Sequence, residues 1–193
     1  ANPHASKAAG KILQRGGSAI DAAIAAQMVL GLVEPQSSGI GGGGFLLYWD
    51  NQKRKLFTYD GRETAPLAAT EKLFLDEAGR PLGFGEAIVG GRSVGVPGLL
   101  RMLQAAHDEH GKLEWSGLFD DAATLAEEGF AVSPRLNTLI RKVPLLDKRE
   151  ALQKYLFHDN KALPIGHTLK NNAYAEVLEP VSYTHLRAHE TVR

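Results

Sequence analysis

The sequence contains no cysteine, no surplus charge of either sign and no long hydrophobic run. Among its 193 residues, 22 lysines and arginines balance 22 aspartates and glutamates. The lack of cysteine excludes disulfides, thiolate nucleophiles and cysteine-ligated zinc. The charge balance gives no electrostatic reason to expect nucleic acid as a partner. The longest apolar run, Ala22–Val33, is too short to span a membrane.

The N-terminal third of the chain predicts two helices followed by a hairpin. Apolar residues at helical spacing begin at Ala5 and stop before Gly16. Ser18 and Asp21 then form a capping box for an alanine-rich second helix, Ala19 to Leu32. Beyond a glycine-rich loop, two runs of aromatic and β-branched or aliphatic residues flank a polar turn and predict an antiparallel hairpin, with strands Phe45–Trp49 and Lys55–Asp60.

The remainder of the chain predicts short helices and a discordant tail. Helices are expected over residues 97–109, 116–129, 147–157 and 174–178, and a further one is expected to start at Pro134, from starting prolines and caps. Residues 181–193 lack a helical or strand period. We therefore expect residues 1–180 to form one partial domain and residues 181–193 to be a non-native tail resembling translated cloning sequence.

Two glycine patterns imitate known catalytic motifs. The segment from Gly39 to Gly44 has the spacing of a dinucleotide-binding fingerprint, but that mechanism needs a strand before the glycines and a helix after them. Here the predicted order is reversed, which favours a loop of close backbone approach. Residues 91–95, with Ser93, match G-x-S-x-G, but three residues separate the serine from the next helix. A flexible loop with an exposed serine is the favoured interpretation there.

Two clusters of charged or titratable side chains remain. His107 and His110 stand three apart at a predicted helix end, and without a third ligand at a known spacing they indicate a solvated helix terminus more than a metal site. Arg62 follows the second strand between Asp60 and Glu63. A guanidinium there suits bidentate binding of a carboxylate, although on these residues alone a surface ion pair is the simpler interpretation.

The chain resembles the N-terminal part of the gamma-glutamyltranspeptidase large subunit. The resemblance rests first on two segments at a specific spacing, "GGSAIDAAIAAQMVLGLVEPQSSGIGGGGFLLYWD" and "DGRETAP". Later segments also correspond, namely "GVPGLL", "HGKLEWSGLFDDAATLAEEGF" and "LPIGHTLKNNAYAEVLE". The resemblance covers residues 1–180 and does not include the tail.

The resemblance implies an α+β fold, an incomplete αββα sandwich of the N-terminal nucleophile hydrolase type, made of a helical pair, a hairpin and short helices. It implies a precursor that cuts itself into two subunits, whose newly exposed threonine attacks the gamma-glutamyl amide of glutathione and passes the acyl group to water, amino acids or peptides. Such a threonine uses its own α-amino group as base. No cofactor or metal is expected.

The resemblance assigns few residues of this chain. Arg62 matches the arginine that holds the glutamate α-carboxylate, and Glu63 is a neighbour that orients it. Gly41, Gly42, Gly43 and Gly44 match a family signature and are given a packing role. The nucleophile lies outside this chain, on a small subunit that would be the partner. The fragment alone is therefore expected to be inactive, with a sheet face and edge left uncovered.

Two other interpretations stay open, and the resemblance also bears on location. An acylase of the same fold, of the cephalosporin acylase or capsule depolymerase type, shares this architecture. A non-catalytic interaction module is the alternative from another class. The family resemblance suggests a periplasmic or secreted protein.

Overall fold

The computed structural model describes residues 2–142 and 149–183, and the chain divides into two compact units. The helical unit comprises Ala1–Gly39 and Gln104–Arg193, and the hairpin unit comprises Ile40–Leu103. Along the described residues the helices are α1 (Pro3–Gln14), α2 (Ala19–Val33), α3 (Phe84–Ile88), α4 (Leu99–His110), α5 (Asp120–Glu128), α6 (Pro134–Lys142), α7 (Glu150–Leu156) and α8 (Asn172–Tyr183). The strands are β1 (Phe45–Asp50), β2 (Lys55–Asp60), β3 (Phe130–Ala131), β4 (Phe157–His158), β5 (Lys161–Ala162) and β6 (Thr168–Leu169).

The helical unit is built around α2, which packs against α1 and α5. Its alanines and aliphatic residues are buried on nearly all sides, with Ile24 and Met28 fully inaccessible, as expected for a helix that is apolar all round. The predicted capping box is present: Asp21 donates its amide to Ser18 Oγ at 3.1 Å, and Ser18 N donates to Asp21 Oδ2 at 2.8 Å. Helix α2 begins where the sequence predicts it, and α1 begins at Pro3, two residues before the first apolar residue of its predicted pattern.

Asp21 also receives hydrogen bonds from a distant loop, although its carboxylate has no exposure to solvent. The amides of Lys112 and Leu113 donate to Asp21 Oδ2 at 3.0 and 3.2 Å. His107 Nε2 lies 3.4 Å from Asp21 Oδ1 and 2.9 Å from the Leu113 carbonyl. The prediction of a solvated helix terminus at His107 and His110 is therefore wrong, because both imidazoles are largely buried.

The C-terminal part of the helical unit contains two short antiparallel pairs that the sequence did not predict. Strand β3 pairs with β6 and β4 pairs with β5, in each case over two residues. Helix α8 packs against α5, and its Tyr174 donates its hydroxyl to the carbonyl of Met28 at 2.8 Å. Burial raises the pKa of Tyr174 above its ordinary value.

Helix α8 is longer than predicted, since it continues through Pro180 to Tyr183. Val181 is buried, and its carbonyl accepts a hydrogen bond from Trp115 Nε1 at 3.0 Å. The first three residues of the predicted tail are therefore helical, against the expectation that no helix reaches them. The rest of that tail, residues 184–193, lies outside the described residues, and its non-native origin stays a prediction.

The hairpin unit is organised by β1 and β2, which pair antiparallel from Phe45 opposite Asp60 to Asp50 opposite Lys55. The turn is held by Asp50 Oδ1, which accepts the amides of Gln52 and Lys53 at 2.9 and 3.0 Å. The hydrogen bond from the Lys53 amide is the main cause that lowers the pKa of Asp50. The predicted bounds of the second strand are confirmed, and the first strand extends one residue further.

One face of this hairpin is apolar and uncovered. Phe45 and Leu47 are 70% and 73% exposed, and Trp49 and Leu56 on the same face are about half exposed. Large exposed apolar patches of this kind mark interaction surfaces in folded proteins. Among the described residues, no helix combines the length and the apolar character that a membrane crossing requires.

Candidate functional site

The backbone that carries Arg62 is fixed from two directions within the hairpin unit. Strand β2 ends at Asp60, whose Oδ1 accepts the amide of Arg62 at 2.9 Å. Gly61 continues the ladder, because it exchanges two backbone hydrogen bonds with Gly44 at 2.9 and 3.2 Å. The Arg62 side chain itself is 67% exposed. The arrangement is a fixed main chain that presents a guanidinium to solvent.

Two glycines permit other segments to approach this backbone. A methyl group at Gly43 would lie 2.8 Å from the amide nitrogen of Glu63. A methyl group at Gly98 would lie 2.8 Å from the carbonyl carbon of Gly61 and 3.2 Å from the carbonyl oxygen of Arg62. Side chains do not tolerate such contacts with backbone atoms. The main chain of Arg62 is thus enclosed between the glycine-rich loop and the segment that leads into α4.

The four predicted loop glycines differ in their surroundings. Gly43 is the one in close approach; a methyl group at Gly41 would meet open space, and at Gly44 it would make ordinary contacts. Gly42 accepts the amides of Gly98 and Leu99 through its carbonyl, both at 3.1 Å. The loop follows helix α2 and precedes strand β1. The order that argued against a dinucleotide fingerprint is therefore confirmed, since no helix N-terminus follows the glycines.

Glu63 stands beside the arginine. Its Oε2 lies 3.4 Å from Arg62 Nη1, and a methyl group at Gly95 would lie 2.8 Å from the Glu63 Cβ. The Glu63 side chain is only partly exposed, and its Oε2 atom is buried without a hydrogen-bond partner. The structure brings the two predicted site residues together, with a carboxylate placed against one edge of the guanidinium.

Arg62 and Glu63 line a cavity of about 300 Å3 in the hairpin unit. Its walls come from three segments, residues 62–66, 73–74 and 92–95. Backbone hydrogen bonds between Thr64 and Val96 at 2.8 and 3.4 Å hold the first segment against the third. The lining includes charged, hydroxyl and apolar side chains: Arg62, Glu63, Leu73, Phe74, Arg92 and Ser93. Two arginines and one carboxylate give this cavity a net positive charge.

Ser93 is not placed as a nucleophile elbow. Its hydroxyl donates to the carbonyl of Ile88 at 2.9 Å and lies 3.2 Å from that of Gly90. The apolar residues before it belong to helix α3, and Ser93 ends a short 3-10 turn. The strand-to-helix geometry that activates such serines is missing. The prediction of an exposed serine is confirmed, although the segment around it forms a short 3-10 turn.

A larger cavity of about 710 Å3 lies in the helical unit between α5 and α8. Its charged lining residues are mainly acidic, with Asp120, Glu127, Glu176 and Glu179 against a single lysine. It therefore repels carboxylates, whereas the smaller cavity at Arg62 attracts them. Within the described ranges, no group of three or more potential ligands is positioned to hold a metal ion.

For two residues in or beside the cavity, the sequence predicted no function. Arg92 occupies the variable position of the G-x-S-x-G pattern and was considered only as part of that pattern. Gly98 belongs to the "GVPGLL" segment, which carried a resemblance but no assigned function. Two glycines around a proline immediately before a helix were the one available signal of close backbone contact.

Comparison with known proteins is consistent across sequence and structure. The profile of the gamma-glutamyltranspeptidase family matches residues 5–188. The chain is 38% identical over 169 residues to a glutathione hydrolase proenzyme of Bacillus subtilis, covering 88% of this chain and 29% of that protein. The chain thus spans under a third of that relative's length.

Solved structures give the same result. The gamma-glutamyltranspeptidase of Helicobacter pylori superimposes with a TM-score of 0.87 at 32% identity, covering 95% of this chain and 52% of that one. A cephalosporin acylase from Bacillus halodurans gives 0.73 at 27% identity, covering 94% and 34%. These likenesses confirm the predicted fold class, an α+β chain of the N-terminal nucleophile hydrolase type. The chain belongs to the gamma-glutamyltranspeptidase family.

Proposed function

We propose that this chain is the N-terminal part of the large subunit of an enzyme that cleaves the gamma-glutamyl amide of glutathione. The acyl group passes to water or to the amine of an amino acid or peptide. The observation that carries the proposal is the exposed guanidinium of Arg62 in a positively charged cavity of the hairpin unit, on a backbone fixed by Gly43 and Gly98. Membership of the family supports this reaction class.

In this proposal the bond-breaking group is a threonine on polypeptide outside the chain. Its hydroxyl oxygen attacks the γ-carbonyl carbon, its free α-amino group takes the hydroxyl proton, and the leaving amine receives that proton as the amide bond breaks. Water or an acceptor amine then attacks the acyl-enzyme ester and releases the threonine hydroxyl. Thr64 lines the cavity, but its nitrogen is part of a peptide bond and cannot act as this base.

Arg62 supplies substrate binding. A guanidinium binds a carboxylate with two parallel hydrogen bonds, which fixes orientation as well as position. Holding the α-carboxylate of the donor would place its γ-amide several bonds away, where the threonine acts. Glu63, 3.4 Å from the guanidinium, orients Arg62 and limits its rotamers.

The uncovered hairpin face supports the proposed small-subunit partner. Phe45, Leu47, Trp49 and Leu56 present an apolar surface on one side of the β1–β2 pair. A sheet needs a second apolar layer on such a face to be stable in water. We assign that layer to the small subunit. Membership of the family also favours export from the cytoplasm, which fractionation of cells that express the full-length gene would test.

The test uses the full-length enzyme that the gene encodes, which includes the proposed small subunit. Arg62→Ala should raise KM for gamma-glutamyl-4-nitroanilide strongly. The decrease in kcat/KM should correspond to about 2–5 kcal/mol of transition-state stabilisation, since a charge-assisted contact to the donor disappears. Steady-state kinetics over a range of donor concentrations separate KM from kcat.

Arg80→Ala is the matched control, because Arg80 is an exposed arginine of the same unit that pairs with Asp76 at 2.9 Å and does not line the cavity. It should leave KM unchanged. Equal kinetics for the wild type and Arg62→Ala would remove the proposed role of Arg62. The isolated chain should show no amide cleavage, and turnover by it alone would overturn the assignment of the nucleophile.

An acylase activity is the second candidate, favoured by the similarity to the cephalosporin acylase structure. A glutaryl amide carries the same distal carboxylate as a gamma-glutamyl amide but lacks the α-ammonium group. The Glu63 carboxylate beside Arg62 suits a donor that has both groups, which favours the gamma-glutamyl substrate. Measuring kcat/KM of the full-length enzyme for gamma-glutamyl- and glutaryl-4-nitroanilide distinguishes the two activities. A preference for the glutaryl donor would establish the acylase.

A further inference from the structure

Arg92 is a second cation in the cavity that Arg62 lines. It projects from the segment 92–96, which the Thr64–Val96 hydrogen bonds hold against the segment that carries Arg62. Arg92 is exposed, and within the part of the chain that the structure describes it forms no ion pair with a carboxylate. Arg62, in contrast, already has Glu63 at 3.4 Å.

The charge balance of the cavity indicates what Arg92 would bind. Arg62, Glu63 and Arg92 are the charged side chains of the lining, so the cavity carries one net positive charge. The amino-acid end of a gamma-glutamyl donor brings one carboxylate and one ammonium group, and leaves that charge uncompensated. Arg62 can satisfy the α-carboxylate by itself with its two-pronged guanidinium. A second carboxylate on the donor would neutralise Arg92.

We propose that Arg92 is a specificity-determining residue that makes the enzyme favour donors with a second carboxylate, on the group that leaves when the amide is cleaved. The inference rests on the proposed function, because it takes Arg62 as the site of the α-carboxylate. Ser93 is not the determinant, since its hydroxyl proton is directed to backbone carbonyls. Leu73 and Phe74 give the cavity an apolar wall suited to the carbon skeleton of the leaving group.

Two chromogenic donors that differ by one carboxylate test the inference on the full-length enzyme. These are gamma-glutamyl-4-nitroanilide and gamma-glutamyl-3-carboxy-4-nitroanilide. Arg92→Gln should lower kcat/KM for the carboxylated donor about fivefold relative to the other, as expected for loss of a solvent-accessible ion pair. Arg92→Lys should keep most of the preference because it keeps the charge. The wild-type preference should shrink as salt is added, because exposed charges are screened.

The controls separate this inference from the proposed function. Arg80→Gln, which removes an arginine outside the cavity, should leave the ratio of the two donors unchanged. If the wild type cleaves both donors and Arg92→Gln keeps the ratio, or lowers both rates equally, the specificity role is overturned while the proposed function stands. If the wild type cleaves neither donor, the proposed function fails and the inference falls with it.

Discussion

Gly98 lies against the carbonyl of Gly61, so close that a methyl group on Gly98 would stand 2.8 Å from the carbonyl carbon. The two glycines bring the entry of α4 onto the end of β2, beside the main chain of Arg62. Gly98→Ala should therefore displace this backbone, lower the free energy of unfolding by about 1–3 kcal/mol, as overpacking does, and raise KM for gamma-glutamyl donors.

The melting temperature and the donor KM of the full-length enzyme measure both effects. Gly85→Ala is the matched control, since Gly85 lies within α3 and a methyl group there meets open space. That exchange should leave KM unchanged and leave the melting temperature equal or slightly higher. A Gly98→Ala enzyme with wild-type melting temperature and KM would contradict the close-packing account.

The buried carboxylate of Asp21 stabilises the helical unit through backbone contacts. It accepts the amides of Ser18, Lys112 and Leu113. All three amides donate to Oδ2, so an asparagine can keep them bonded only by turning its NH2 group towards His107 Nε2, which itself donates to the Leu113 carbonyl. The opposite orientation leaves the three amides facing a donor. We expect a loss of about 2–4 kcal/mol in the free energy of unfolding, typical of a broken buried network, measured by urea unfolding.

Asp121→Asn is the control for that measurement. Asp121 pairs with Lys11 on the surface of the same unit, and an exposed pair contributes at most about 1 kcal/mol. A stability loss for Asp21→Asn no larger than for Asp121→Asn would show that the backbone contacts of Asp21 contribute little.

The phenol of Tyr174 predicts a dependence of stability on alkaline pH. Burial raises its pKa in the folded state above the ordinary value of 10, so the folded state favours the protonated phenol. This contribution is fully present below pH 10 and is lost as the pH rises above 10 towards the folded pKa. Urea midpoints between about pH 8 and about pH 11 should therefore fall for the wild type.

Tyr174→Phe should show a flatter alkaline decline, because the titrating group is gone. At neutral pH it should cost about 1 kcal/mol, since the hydrogen bond to the Met28 carbonyl is lost. Tyr183→Phe, at an exposed position near the end of the same helix, should keep the wild-type decline. Parallel declines for wild type and Tyr174→Phe would exclude Tyr174 as the titrating group.

The uncovered hairpin face predicts self-association of the chain when it is prepared alone. Leu47 is 73% exposed on that face, and Leu47→Thr removes apolar surface while it keeps a residue suited to a strand. Light scattering should show association of the wild-type chain and less association of the variant. Val177→Thr, at a half-exposed position of α8, should associate like the wild type. A monodisperse wild-type chain would instead favour the non-catalytic module.

Local signals in the sequence predicted the elements whose partners lie nearby. The capping box of Ser18 and Asp21 and the polar turn of the hairpin each involve residues at most a few positions apart, so their geometry follows from spacing. Arg62 and Glu63 are adjacent in the chain, so their contact could be predicted in the same way. The resemblance to the family added a role that these residues alone did not give.

Features that depend on residues far apart in the sequence were not predicted. His107 is buried because Asp21 and the 112–113 segment surround it, and nothing near His107 in sequence indicates this. Helix α8 passes Pro180 because Val181 beyond it is buried and bonded to Trp115, which outweighs the helix-breaking tendency of proline. Two-residue strands such as β3 and β6 have no period to detect. A binding role for Arg92 is indicated only by the cavity that it lines together with Arg62.

The double role of Asp21 has a consequence for synthesis on the ribosome. Its capping contact with Ser18 closes within four residues, whereas the Lys112 amide follows 91 residues later. At translation rates of about 5–20 residues per second, the α1–α2 pair waits roughly 5–18 seconds for the amides that bury this carboxylate. Until then water must take the place of those amides at the Asp21 carboxylate, because a buried charge without partners is costly.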